Sequence, residues 1–431
     1  MSHPRLLVVG TIPYNTKDSS RAFEAYFHNW EKENIAQIFS DPKTPVKGHC
    51  NTLYQITDYR LLQKWKGKKV EAGIIYNYDE LPSSTESKER IDERKSAGTA
   101  YRLGAKHTPL THILRGILWI KPFWCSDKLN EWLDKFRPEC VFLSFSDDYF
   151  IPLIALYVAR KFNIPIVSSI GDDYYFNTHF SLNPIYWIYK QTYKYLIRKV
   201  LSHKGSAIYI SDKIRDKYNS EFSLDGDTVY LTSTINRKSF NYVNTDNPLM
   251  TYFGNIRMGR NNSLNDIGHA LGKINNKYRL EVYSGEQDPH IYDVFKDNPN
   301  IIYGGTIPYS EVQKKMTNSD ITVIVEGFLP KDIDCSRYSL STKAADALAS
   351  GVTILAYGSQ DCGIIEYMKT TEAAFVCTRK EDLVETIKDM LTDQERQKKY
   401  YDQQIFITAE HHNLIRSCEV FENVVKRAMK K

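Results

Sequence analysis

The sequence predicts an α/β protein built from two doubly wound domains in tandem. Short apolar runs alternate with helical patterns along most of its 431 residues, which is typical of parallel sheets covered by helices on both faces. These runs form two sets, and the polar stretch 232–247 separates them. A chain of this length also favours two or three domains over one.

The first set of runs predicts the strands of an amino-terminal domain. RLLVVG at 5–10 is the first strand, and SSRAFEAYFHNWEKE follows it as a helix that Ser19 or Ser20 can cap. The segment 79–108 is polar and charged, so we expect a mobile loop or a short exposed helix there. The other predicted strands are 36–40, 71–77, 139–146, 165–171 and 206–211.

The second set of runs predicts a carboxyl-terminal domain of the same kind. We place the first domain at 1–240 and the second at 241–405, and we expect the helix at 406–431 to cross back to the first. Domains of this type bind ligands at the carboxyl ends of their strands, here facing a cleft. The predicted strands are 248–256, 279–285, 300–307, 320–328 and 352–358, with a helix at 380–393.

Composition limits the function classes. A formal charge of +5 does not suggest a nucleic-acid-binding protein, but it fits an anionic ligand or membrane surface. The seven cysteines are scattered without a CxxC pair, which argues for a reducing compartment, no disulfide framework and no structural zinc. We expect no signal peptide, because the apolar run near the amino terminus is only five residues long. We also expect no membrane-spanning helix, because no stretch of 18 apolar residues occurs. The first strand lacks a GxGxxG sequence after it, which disfavours a dinucleotide-binding dehydrogenase.

A basic loop opens the second domain in YFGNIRMGRNNSL. The strand ends at Gly254, Asn255 follows, and Arg257 and Arg260 lie at the mouth of a strand-to-helix turn. Guanidinium groups pair with phosphate oxygens in a bidentate way, so this loop is a candidate pyrophosphate site. The alternative is a solvated basic turn.

A second candidate element is the helix start in RYSLSTKAADALASG. Ser341 or Thr342 can cap this helix, and its free N–H groups together with Lys343 can hold phosphate. Asp346, one turn later, can accept hydrogen bonds from ribose hydroxyls, although it is also a favourable charge in a first helical turn. The weaker third element is YGSQDCGIIEY, where Gly363 lets the backbone approach a ligand.

In this order, the three elements resemble the donor domain of GT-B glycosyltransferases, in particular the family 4-like bacterial polysaccharide enzymes. STKAADALASGVTILAYGS is similar to the family segment K-x-x-E-x-L-A-x-G-x-P-I, and the resemblance covers most of 248–370. It implies a GT-B fold with a nucleoside diphosphate sugar as donor, Arg257 and Arg260 on its diphosphate, and Asp346 on its ribose.

The sequence departs from the family pattern at two positions. Tyr338 stands where the family often has a sugar-binding glutamate, and Gly171 stands where it has a histidine near the reaction centre. Glu326 is a candidate substitute for the glutamate, although its loop differs. These departures leave the sugar, and whether its configuration is retained or inverted, open.

Four aspartates are candidates for acceptor chemistry in the first domain. Asp147 and Asp148 end one strand, and Asp172 and Asp173 end another, where a carboxylate can act as general base or orient a sugar. Each can also be a cap or turn residue. The loop residues Ser19, Ser20 and Arg21 are further acceptor-side candidates, or an ordinary helix cap.

Two segments suit a membrane surface. The segments 183–204 and 110–125 combine apolar, basic and aromatic residues, which fits contact with an anionic leaflet, although both can also be helices packed on a sheet. We therefore expect a cytoplasmic glycosyltransferase, in contact with the inner face of the plasma membrane if its saccharide acceptor is lipid-linked.

Cell-surface polysaccharide (capsule) synthesis is the expected role. We expect no metal or cofactor, because the cations listed above replace a metal at the diphosphate. The alternatives are a nucleotide-sugar epimerase on the same architecture and a non-catalytic subunit that binds nucleotide or glycan.

Overall fold

The computed structural model describes residues 3–14, 21–82, 108–178 and 180–431. Ser19, Ser20 and most of the segment 79–108 lie outside the described residues, and so does the side chain of Arg21. The chain divides into two compact units: Met1–Val229 together with Cys418–Lys431, and Tyr230–Ser417.

The first unit is built on one sheet of eight strands within the described residues. Their spatial order is β4-β3-β2-β1-β5-β6-β7-β8, and neighbours are parallel except for the antiparallel pair β3 and β4. The strands are β1 (Leu6–Val9), β2 (Ile35–Phe39), β3 (Thr52–Ile56), β4 (Gly73–Asn77), β5 (Cys140–Ser144), β6 (Ile166–Ile170), β7 (Gly205–Tyr209) and β8 (Asp227–Thr228).

Helices follow most strands of this sheet. They are α1 (Arg21–Phe27), α2 (Asp58–Trp65), α3 (Pro109–Leu118), α4 (Lys121–Trp124), α5 (Asp127–Phe136), α6 (Phe150–Phe162), α7 (Pro184–Leu201) and α8 (Asp212–Phe222). The chain order of strand, helix, strand is that of a doubly wound α/β domain.

The core of the first unit includes a side chain from the end of the chain. Phe421 is fully buried, and its ring centroid lies 5.5 Å from Tyr26, 5.3 Å from Phe27 and 5.5 Å from Phe142. It belongs to α17 (Leu414–Met429). Burial of a phenylalanine contributes about 1.5–3 kcal/mol, so residues 418–431 are an integral part of this unit.

The second unit holds a parallel sheet of six described strands in the order β11-β10-β9-β12-β13-β14. Chain order reverses between β9 and β12, which makes the carboxyl ends of these two strands the switch point where ligands bind in such folds. The strands are β9 (Leu249–Phe253), β10 (Arg279–Tyr283), β11 (Ile301–Gly305), β12 (Ile321–Val325), β13 (Thr353–Tyr357) and β14 (Phe375–Cys377).

The helices of the second unit enclose a core centred on Met250, Leu280 and Leu355, all fully buried. α9 packs on α15, and α13 packs on α16. The helices are α9 (Arg260–Ile274), α10 (Pro289–Tyr292), α11 (Tyr309–Asn318), α12 (Pro330–Ser336), α13 (Lys343–Ser350), α14 (Gly363–Thr370), α15 (Leu383–Thr392) and α16 (Gln394–Glu410).

The predicted α/β class and all eleven predicted strands are confirmed, but three strands were not predicted. β3 was missed because Gln55 interrupts its apolar pattern; the buried Gln55 side chain donates to the carbonyls of Asp41 and Lys43. β8 and β14 are too short to give a periodic signal. The expectation of parallel pairing is wrong for β4, which runs antiparallel to β3.

Candidate functional site

The switch point of the second unit begins with a strained turn after β9. Gly254 has a φ of 133°, a backbone conformation open mainly to glycine. A Cβ atom at this position would lie 2.5 Å from Cε of Lys343. Two separate features therefore require glycine at this position: the positive φ of the backbone and the close approach of the Lys343 side chain.

Lys343 is the first residue of α13. Its Nζ donates a hydrogen bond of 2.8 Å to the Tyr252 hydroxyl, which in turn donates to the carbonyl of Asn255 at 2.5 Å. Burial and, to a lesser extent, the charge of Arg260 lower the pKa of Lys343 to about 7, against the opposing effect of Glu326. The amine is thus placed to change charge near neutral pH.

Arg260, the first residue of α9, forms a buried ion pair with Glu326. Its Nε and one terminal nitrogen donate to the two carboxylate oxygens at 3.0 and 2.9 Å, and the two residues are only 8% and 2% exposed. Glu326, the candidate for the sugar-binding glutamate that Tyr338 replaces, therefore already pairs through both of its oxygens with Arg260.

Arg257 lies on the exposed side of the same loop. Its guanidinium makes two hydrogen bonds to Glu286, of 2.6 and 2.7 Å, and its backbone N–H donates to the Asn255 side chain at 2.6 Å. The two predicted phosphate ligands are therefore both present at the switch point, and each already has a carboxylate partner.

The start of α13 is capped by one of the two predicted residues. Ser341 Oγ accepts from the backbone N–H of Lys343 at 3.4 Å, whereas Thr342 makes no side-chain cap. The predicted ribose ligand Asp346 is 5% exposed; its Oδ1 accepts from the hydroxyls of Ser233 at 2.6 Å and Tyr309 at 3.1 Å. These two partners were not predicted, since Ser233 and Tyr309, the first residue of α11, are far from Asp346 in the sequence.

Gly363 has a packing role. A Cβ atom there would lie 2.8 Å from the carbonyl oxygen of Ser339 and 3.2 Å from that of Arg337. The residue starts α14 and is buried against this backbone. Close packing therefore explains this glycine without a ligand.

In the first unit, Asp148 is part of a buried ionic cluster. It accepts from Arg115 at 2.6 Å, and Arg115 also donates to Asp58 at 2.8 Å. Burial alone would raise the pKa of Asp148, but His112 and Arg115 hold it below its usual value. Asp148 is therefore held as a structural carboxylate.

Asp173 is also engaged, whereas Asp147 and Asp172 are exposed. Asp173 Oδ1 accepts from the Tyr218 hydroxyl at 2.9 Å and from the backbone N–H of Phe176 at 2.8 Å. Asp147 and Asp172 follow the adjacent strands β5 and β6 on the exposed surface. These two are the candidate aspartates with solvent access.

Tyr174 lies near the exposed carboxylates. Burial raises the pKa of its hydroxyl, and the charges of Asp172, Asp147 and Asp148 add to that effect. Its carbonyl accepts from Lys190 at 3.1 Å. The sequence analysis placed Lys190 only in the candidate membrane segment 183–204, and it did not single out Tyr174; the one signal for Tyr174 was the large number of tyrosines, 30 in the chain.

The predicted membrane segment 110–125 forms α3 and α4, and the segment 183–204 forms α7, which packs on α3. Tyr189, Leu196 and Val200 of α7 are buried, so much of its apolar stripe is core. Among the described residues, no helix is both long and apolar enough to cross a bilayer.

Comparisons in sequence found no match: no family model and no curated protein corresponds to the chain. Similar solved structures include Anabaena Alr3699/HepE in complex with UDP-glucose, with a TM-score of 0.59, 10% identity, and coverage of 99% of this chain and 100% of that one. WaaG, a glycosyltransferase involved in lipopolysaccharide biosynthesis, gives a TM-score of 0.54 at 10% identity, covering 97% and 99%.

The chain has the GT-B fold. The predicted GT-B resemblance is thereby confirmed at the level of the fold. A Listeria monocytogenes protein assigned as a UDP-N-acetylglucosamine 2-epimerase also matches, with a TM-score of 0.50 at 10% identity, covering 97% and 94%. Identities this low establish the GT-B architecture and leave the chemistry to the site residues.

Proposed function

We propose that this GT-B protein is a glycosyltransferase that moves a sugar from a nucleoside diphosphate sugar to a saccharide acceptor. The observation that carries the proposal is the cluster of cations at the switch point of the second sheet, where Lys343 and Arg260 lie beside the strained turn at Gly254. Cations and free helix N–H groups at such a point favour a diphosphate.

In this proposal the donor is held by the second unit. Lys343, Arg260, Arg257 and the N–H groups that begin α13 stabilise the charge that develops on the leaving diphosphate. Asp346 accepts hydrogen bonds from the ribose. No metal is required for this charge stabilisation, a prediction that is checked by measuring turnover in excess EDTA.

The acceptor is assigned to the first unit. Asp172 and Asp147 are the exposed carboxylates at the ends of neighbouring strands, and one of them takes the proton from the attacking hydroxyl. The role of Ser19, Ser20 and Arg21 in acceptor binding remains a prediction, since these side chains lie outside the described residues.

Thermal shift in the absence of divalent metal is the first test. UDP, GDP, dTDP, ADP and CMP are compared on the wild type, on Lys343→Met and on the control Lys380→Met, whose lysine is exposed. We expect one nucleotide to raise the melting temperature of the wild type and the control, and to have little effect on Lys343→Met. If none of the nucleotides raises the melting temperature of any of the three proteins, the proposed donor site is refuted.

An epimerase is the second candidate function, because the Listeria protein shares the architecture. An epimerase consumes or interconverts a nucleotide sugar without an acceptor, whereas a transferase requires one. Incubation with UDP-N-acetylglucosamine alone, followed by chromatography of the products, separates the two. Binding without any turnover would instead indicate a non-catalytic subunit.

We further propose that the first unit contacts an anionic membrane surface, as a lipid-linked acceptor in cell-surface polysaccharide synthesis would require. Leu110, Leu114 and Ile117 share one face of α3 and are 49%, 55% and 49% exposed, and the exposed Lys121 follows them. Co-sedimentation with phosphatidylglycerol-containing vesicles should fall for Leu114→Ser/Ile117→Ser and be unchanged for the control Ile405→Ser. If Leu114→Ser/Ile117→Ser and the control Ile405→Ser bind the vesicles equally well, this face of α3 is not the membrane contact.

A further inference from the structure

Tyr252 is a buried tyrosine at the switch point of the second unit. It lies near the end of β9, and its side chain has no exposed surface. The pairing of β9 with β12 ends at Thr251, which lies opposite Thr322, so Tyr252 is the first residue of β9 beyond that ladder. Its hydroxyl makes two hydrogen bonds there, one to the basic loop and one to the start of α13.

The two hydrogen bonds of the Tyr252 hydroxyl have fixed directions. The hydroxyl has one proton to donate, and the Asn255 carbonyl receives it at 2.5 Å. Burial raises the pKa of Tyr252 above its ordinary value, so this proton is retained at neutral pH. The hydroxyl therefore offers a lone pair to the Lys343 amine, 2.8 Å away, and the amine is the donor.

The bond to Tyr252 fixes where the Lys343 amine lies. A lysine amine stands at the end of a flexible four-carbon stem and needs such contacts to hold one position. Its Nζ lies 4.8 Å from the centroid of the Tyr252 ring, and the stem passes closely over Gly254. The amine makes no other hydrogen bond within the described part of the chain. In its charged form it therefore keeps two protons for a ligand.

The same hydroxyl also supports the basic loop. The carbonyl that accepts its proton belongs to Asn255, whose side chain accepts from the backbone N–H of Arg257 at 2.6 Å. The carbonyl alone would satisfy a buried hydroxyl that only needed a partner. The further bond to Lys343 holds a cation of α13 against the backbone of the loop that carries Arg257, as a single anion bound by both segments requires.

We propose that Tyr252 is a positioning residue of the donor site, which holds the Lys343 amine so that it faces the diphosphate. The inference rests on the proposed function and extends it to a residue that acts through another. A lone pair directed at an amine also favours its charged form. Loss of the hydroxyl should therefore change both the position of the amine and the pH at which its charge is lost.

Titration of Lys343 in the full chain, without ligand, is the first test. Tyr252→Phe removes the hydroxyl and keeps the buried ring. The matched control is Tyr278→Phe, because the hydroxyl of that buried tyrosine also donates to a backbone carbonyl, that of Thr245. With isotopically labelled lysine side chains, the NMR signal of Lys343 is identified by its absence from Lys343→Arg.

We expect the signal of Lys343 to titrate near pH 7 in the wild type and in Tyr278→Phe. In Tyr252→Phe the midpoint should lie about one pH unit lower, since the charged amine loses its hydrogen-bond acceptor. An unchanged midpoint in Tyr252→Phe would overturn the inference, as would an equal shift in the control.

Calorimetric titration of UDP, GDP and ADP at pH 6 and pH 8 is the second test. Tyr252→Phe should weaken binding of the preferred nucleotide about tenfold or more at pH 8 and by a smaller factor at pH 6, because the variant loses the charge of Lys343 at lower pH. In the Lys343→Met background the same substitution should change affinity less than about twofold, since the two residues act as a unit.

A structural role for Tyr252 predicts a different result. Equal losses at the two pH values, or an undiminished loss in Lys343→Met, would show that the hydroxyl acts only through the backbone at Asn255, and would overturn the inference. If the wild type binds none of the three nucleotides, the proposed function fails, and the diphosphate as partner of this amine fails with it. The two failures are distinguishable because the titration of Lys343 needs no ligand.

Discussion

The Lys343 amine lies 2.8 Å from the Tyr252 hydroxyl, and no ion pair joins it to a carboxylate within the described residues. A neutral hydroxyl cannot compensate the charge of an ammonium group as a carboxylate would. The positive charge of Arg260 lies close to the amine and disfavours its protonation, and Glu326 forms its ion pair with Arg260 and not with Lys343. The protonation of Lys343 therefore depends strongly on whether an anion is present.

Nucleotide affinity should fall as pH rises through about 7, the pKa of Lys343 without ligand. Below this pH the amine is charged and attracts the diphosphate; above it, binding requires uptake of a proton. We expect up to about a tenfold loss per pH unit above 7. Titration of UDP between pH 6 and pH 9 checks this, and Lys343→Arg should show weaker pH dependence over the same range.

The lowered pKa of Lys343 also predicts that the stability of the folded protein rises with pH, whereas nucleotide affinity falls. The pKa of Lys343 is about 7 in the folded protein and has its ordinary value of 10.5 in the unfolded chain. Between these two pH values the unfolded chain therefore binds more protons than the folded protein. Stability should therefore rise with pH across this window through this residue. Urea unfolding at pH 7 and pH 9.5 should show a smaller increase for Lys343→Met than for the wild type. An equal increase in the two proteins would contradict the lowered pKa.

Glu326→Gln should destabilise the protein by about 3 kcal/mol, because it leaves the buried Arg260 charge without its carboxylate. The double variant Arg260→Met/Glu326→Leu should recover most of that stability, since a buried ion pair adds little over an apolar pair. Denaturant unfolding measures both effects. The double variant should nevertheless lose stabilisation by nucleotide, which separates the binding role of Arg260 from its structural role.

Asp172→Asn or Asp147→Asn should lower kcat by about 10²-fold or more, because the general base for the acceptor is removed. The KM for the donor should change little. Asp148→Asn is the matched comparison: it should lower stability by about 3 kcal/mol, since Arg115 loses its buried partner. If neither exposed aspartate affects kcat, the base lies elsewhere.

Acid should destabilise the second unit through His412. Its Nδ1 donates to the Leu231 carbonyl at 2.6 Å, so its Nε2 accepts from the Tyr367 hydroxyl at 3.0 Å. Burial and the neighbouring His411 lower the pKa of His412 to about 4, while the bond to Leu231 opposes this. The unfolded chain then binds more protons between about 4 and 6.5, and roughly 3 kcal/mol is lost as pH falls through that range. Unfolding of His412→Gln at pH 7 and pH 4.5 should show a smaller difference than the wild type.

The features that could be predicted from the sequence are those set by neighbouring residues along the chain. Apolar runs located eleven of the strands, and glycine followed by basic residues located the loop at Gly254 and Arg257. The carboxylate partners were not predictable, because Glu286 and Glu326 lie on other strand ends and meet the arginines only after folding.

The packing of Phe421 against Tyr26, Phe27 and Phe142 has a consequence for synthesis on the ribosome. The apolar side chains of the early segment are made first, but the residue that covers them arrives only after the whole of 230–417 has been translated. At cellular elongation rates this interval is on the order of tens of seconds. Throughout it, the nascent first unit presents an incomplete core, which makes it a natural client for chaperones, while the later unit has all of its own residues and can fold ahead of it.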